Sequence, residues 1–292
     1  MSLHRVAWTA FALMPVALLA FHFGPGQHAW NEDLAARVLD RAHAAQSQAL
    51  QLQADAYDAH LAAIAARAAA FANDNAALTQ TAKHASAAED VAYDAAANAW
   101  QETASVLSEA QLLLDASKPS VKDTIRLAHA RALVRAGEIG AGANELEDLL
   151  ESMQTSDDSD GASQAALAIA AREELATAYY YGARLMRLAG KPAAEWRAVS
   201  ARARQNFHFL AEQAKAEGAA NSATTNHQLN GELVLNLEQS SLAELYAKAR
   251  PKDSPTGNGR GLGEPRPGRR GNRPSDKPDK GAGLNGEIGD GW

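Results

Sequence analysis

Apolar positions recur at the three-to-four spacing of an α-helix through most of this chain. Val6 to Phe23 is an apolar run broken only by Thr9 and His22, preceded by Arg5 and stopped by Gly24-Pro25-Gly26. Asn31 can then cap a helix whose first turn carries Glu32 and Asp33, acids that suit a helix N-terminus. No Gly or Pro follows as far as Phe71. Leu50, Ala54, Tyr57, Leu61, Ile64, Ala68 and Phe71 alternate in steps of four and three, a heptad-like seam. It predicts one long helix that packs within the chain in preference to a free dimer. Asn73-Asp74-Asn75 reads as a break.

Ala87 to Asp115 reads as the next helix, with Tyr93, Ala97, Trp100, Ala104, Leu107 and Leu114 on one stripe. Ser117-Lys118-Pro119-Ser120 ends it, because proline cannot continue a helix and restricts the residue before it. Two helical hairpins follow. Lys122–Ala136 and Ala141–Met153 turn at Gly137, and Ser163–Ala189 and Ala193–Glu217 turn at Gly190. The acidic, Ser/Gly stretch from Gln154 to Gly161 separates them; it lacks the spacing and bidentate Glu of a calcium loop and reads as a linker. Gly218 to Asn230 is polar and reads as loop. Glu232 to Leu237 is a weak strand candidate, and Ser241 to Ala249 reads as a short helix capped by Ser240 or Ser241. The expected fold is all-α: an N-terminal transmembrane or signal-anchor helix, long alanine-rich helices, helical hairpins and a disordered tail. The expected segments are an anchor at 1–29, a stalk at 30–120, the hairpin pair at 121–217, loop and short helix at 218–250, and the tail at 251–292.

Composition sharpens three points. Much of the apolar share is alanine, which forms helices readily and brings little side-chain area to bury, so close-packed helices are expected in place of a thick core. The tail holds eleven Gly, six Pro and few apolar side chains, too few to offset the entropy of ordering. Eight of its residues are Lys or Arg and six are acidic, so the body is more acidic than the overall −7 and poorly suited to nucleic acid. The run at 6–23 is near the lower limit for crossing a ~30 Å hydrocarbon layer. An uncleaved anchor fits it best, flanked by Trp8 and Trp30. A cleaved signal peptide would need a small-x-small site that is missing, and a buried soluble helix is the third alternative. Arg5 before the run and Glu32 and Asp33 after it place the bulk of the chain on the extracytoplasmic side of a single-pass membrane protein.

Catalytic signatures are missing. The chain has no cysteine, no Walker A loop, no dinucleotide-binding glycine fingerprint and no Gly-x-Ser-x-Gly elbow. Its nine histidines do not fall at metal-ligand spacing. Gly259-Arg260-Gly261 and Arg269-Arg270-Gly271 lack the aromatics that stack on bases. No enzyme activity, cofactor, metal or nucleic-acid partner is expected.

The hairpins carry a family resemblance. Ala130, Leu133, Gly137, Gly142, Leu146 and Leu149 in the first, and Ala183, Met186 and Gly190 in the second, fall in the small/large pattern of a helix–turn–helix repeat, and Tyr93, Ala96 and Trp100 look like the back helix of an earlier unit. From Ala87 to Gln213 the chain resembles tetratricopeptide (TPR) repeats. Glu195 stands where that pattern wants a small residue, and Gly137 and Gly190 lie further apart than the ~34 residues of an ideal repeat. The layout as a whole is similar to that of uncharacterised membrane-anchored bacterial proteins, which bring no activity with them. The resemblance implies a concave groove lined by the front helices, with Thr124, Leu127, Arg131 and Arg135 in the first unit and Thr177, Tyr180, Arg184 and Arg187 in the second. Arg131, Arg135, Tyr180, Arg184 and Arg187 are the expected partner-binding residues, since guanidinium groups take up carboxylates bidentately. The competing expectation is a solvated face whose arginines pair with Glu173, Glu174 or Glu195.

Two functions compete: a non-enzymatic, membrane-anchored scaffold that binds a protein partner through this groove, and a structural spacer of the cell envelope that self-associates through the long helix.

Overall fold

The computed structural model describes residues 11, 13–16, 18–21, 25–73, 75–113, 119–155, 161–218 and 221–247. All regular structure among them is helical. The helices are α1 (Pro25–Ala72), α2 (Ala76–Leu113), α3 (Pro119–Arg135), α4 (Ile139–Thr155), α5 (Gly161–Leu188), α6 (Ala193–Ala216), α7 (Asn221–Gln239) and α8 (Leu242–Ala247). Each of α1 to α6 packs on the next in the chain; α5 also touches α3 and α8. Most of the anchor segment, the middle of the acidic linker and the whole tail lie outside the described residues. No helix among those described is long and apolar enough to cross a membrane.

Local chemistry sets the helix ends. Asn73 donates its amide to the Ala69 carbonyl, and Asn75 Oδ1 accepts from the Ala77 N–H at 2.8 Å, so the chain stops and restarts within three residues. Pro119 opens α3 where its missing N–H has no intrahelical partner to lose. The two hairpin turns share one design. Gly137 sits at φ 91° and Gly190 at φ 72°, a left-handed region in which a side chain would be strained. Their N–H groups bond to Val134 and Arg187, and those of Glu138 and Lys191 bond back to Leu133 and Met186. These pairs are Schellman motifs, which satisfy the last carbonyls of α3 and α5. Gly142 has a different role. A Cβ there would stand 2.6 Å from Val134 Cγ2 and 2.8 Å from the Ala130 carbonyl oxygen, so its lack of a side chain sets how closely α4 lies on α3.

Two expectations are corrected at the C-terminal end. The polar stretch expected as loop begins a helix, and the strand candidate Glu232 to Leu237 lies in that same helix, α7. His227 and Asn230 are buried on the same helix, and Val234 and Leu237 are buried in the main core with Phe207, Leu210, Leu146 and Leu149. Tertiary burial of one stripe outweighs the weak helix propensity of Asn, Ser and Thr there. The short helix α8 is capped by Ser241 and Glu244, which accept each other's backbone N–H.

The long helix is also corrected. It packs within the chain, against α2, but not through Leu50, Tyr57, Leu61 and Phe71. Its buried line is Ala35, Val38, Ala42, Ala49, Gln53, Ala56, His60 and Ala63, one residue round the helix. The bulk comes from α2, which presents Tyr93, Trp100 and Leu107. Large side chains from one helix require small ones opposite, so α1 turns its alanines inward and leaves part of its larger apolar stripe out. Three polar contacts mark this seam. Trp100 Nε1–H donates to Gln53 Oε1 at 2.7 Å, His60 Nδ1 lies 2.7 Å from Glu89 Oε1, and Arg67 donates to Glu89 Oε2 at 3.2 Å.

The Glu89 carboxyl carries a pH dependence. Burial alone would raise its pKa, but the hydrogen bond and charge of His60, then Arg67, outweigh that and hold it below the usual 4.5. A depressed folded-state pKa stabilises fully above the unfolded value, and that contribution is lost as pH falls through the folded value. Denaturation measured from pH 6 downward is therefore expected to show a loss below about pH 4.5 that Glu89→Gln removes. A wild-type slope unchanged by Glu89→Gln would rule this out.

Candidate functional site

Helices α3 and α5 bring the expected partner-binding residues into two groups. Arg131 and Arg135 on α3 reach Glu174 on α5. Arg131 Nε donates to Glu174 Oε2 at 2.9 Å, and Arg135 donates to Oε1 of the same carboxylate. Glu174 is buried at 6% exposure, and Arg135 also lies over the Trp100 ring, 5.8 Å from its centroid. Glu174 and Arg135 together thus join α2, α3 and α5. Thr124 is exposed on the first turns of α3, whereas Leu127 is buried in the core.

The second group holds the end of α7 and part of α8. Arg187 donates to the Leu237 and Ser240 carbonyls, which the end of α7 leaves without helical partners. Its positive charge also complements the negative end of that helix dipole. The same guanidinium stacks on Trp196, 4.7 Å from the centroid. Arg184 is buried and reaches the Leu245 carbonyl of α8 in a long bond of 3.5 Å. Tyr180 is buried beside Tyr181; burial pushes its phenol above the usual 10, and the Arg184 charge offsets part of the rise.

The structure therefore joins Arg131 with Arg135, and gathers Tyr180, Arg184 and Arg187 farther along α5. Both sets are engaged within the fold. Of the three acids named as candidate partners, Glu174 takes Arg131 and Arg135, in a buried contact and not on a solvated face, while Glu173 meets His227 at 3.3 Å. Sequence reasoning missed the occupant of the second group, the carbonyls at the end of α7 and in α8. The only local signal was the Ser241–Glu244 capping pattern, which locates a helix start but not its docking place.

No group of three or more His, Asp or Glu among the described residues could hold a metal ion. Comparison with known families, curated proteins and solved structures returns no match.

Proposed function

We propose that this chain is a non-enzymatic, membrane-anchored helical scaffold that binds a protein partner along α5. The observation that carries the proposal is what α5 already holds. Arg187 receives the open carbonyls at the end of α7, and Arg184 receives the Leu245 carbonyl from a slight segment: α8 has six residues, and Leu242 to Glu244 are exposed. A partner that offers a helix C-terminus or a carboxylate supplies the same acceptors, and guanidinium groups bind carboxylates more strongly than neutral carbonyls. The sequential packing and the twin Schellman turns support the TPR-like reading of the hairpins. The anchor reading draws on the start of the chain, where Phe11, Leu13, Met14, Val16, Leu18, Leu19 and Phe21 are all exposed. Exposed apolar surface of that extent marks a membrane or protein contact.

Affinity capture from membranes tests the scaffold. Leu245→Asp, which loosens α8, is expected to increase the captured partner, and Arg184→Glu with Arg187→Glu to abolish it at unchanged helicity. Identical capture by all three chains would sink the proposal. The envelope-spacer reading is favoured by a separate observation: among the described residues Leu50, Leu61 and Phe71 of α1 are exposed.

A further inference from the structure

We draw no further inference here: the strongest candidate, the apolar face of α1 on which Leu50, Leu61 and Phe71 are exposed, carries none because nothing in the structure shows what covers it.

Discussion

Trp100→Ala is expected to lower stability by about 4 kcal/mol, within the range for truncating a buried aromatic. Trp100 is 1% exposed and sits where α1, α2 and α3 meet, with Ala35, Ala49, Ala104, Leu107 and Ile125 in its cluster. These neighbours are mostly alanine. They are fixed to helix backbones and cannot swing in to fill the space, so the cavity remains. The loss has a second part. Gln53 is buried at 3% exposure and would lose the indole N–H that bonds it at 2.7 Å. An unsatisfied buried amide costs about 1–3 kcal/mol. Trp100→Phe separates the two parts, since it retains most of the ring packing and loses the donor; a loss of about 1–2 kcal/mol is expected for it. Urea denaturation followed by far-UV circular dichroism measures both. Equal losses for the two substitutions would show that the hydrogen bond, not the packing, dominates.

Glu174→Ala is expected to cost about 3 kcal/mol, the lower end for breaking a buried ion pair. Both carboxylate oxygens are engaged, by Arg131 and Arg135, so removal leaves two guanidinium groups facing each other across the α3–α5 contact. Arg135 has a side-chain exposure of 15% and little recourse to water. Arg131, at 37%, can turn outward, which is why the upper end of the range is not expected. Glu174→Gln keeps one acceptor and should cost less. Adding Arg135→Met to Glu174→Ala is expected to recover part of the loss, because an apolar side chain of similar length replaces the orphaned charge. No recovery in the double variant would mean that the pairing is not the source of the destabilisation.

The helices were legible because their signals are local. The glycines at 137 and 190, the proline at 119 and the asparagines at 73 and 75 act on their own backbone or the next few residues, so reading them in order finds most ends. The small residue at Gly142 could likewise be read as a close helix contact. The helix over Asn221–Gln239 was not legible. Its residues are polar, and what makes them helical is the burial of Val234 and Leu237 against α6 and its neighbours, a contact absent from the segment itself. The seam of α1 was misplaced for a related reason. Area alone ranks Leu, Tyr and Phe ahead of Ala for burial, but a seam is filled by two helices together. Once α2 supplies Tyr93, Trp100 and Leu107, only alanine fits opposite.

The candidate site divides in the same way. That arginines gather on α3 and α5 follows from spacing along two helices. Which acceptor each one takes does not. Glu174 was among three candidates within reach in sequence, and the geometry of the α3–α5 contact selected it. The carbonyls at Leu237, Ser240 and Leu245 could not be anticipated, because an open backbone acceptor has no residue type. Alone, then, the sequence determined the helical class of the described residues, their turns and the faces that hold their charge, since each depends on neighbours three or four residues away. Tertiary structure decided which face of α1 is buried, that the polar segment before Gln239 folds, and that the arginines of α5 hold the end of α7 and part of α8. Those outcomes turn on volumes and hydrogen-bond acceptors brought together from distant parts of the chain.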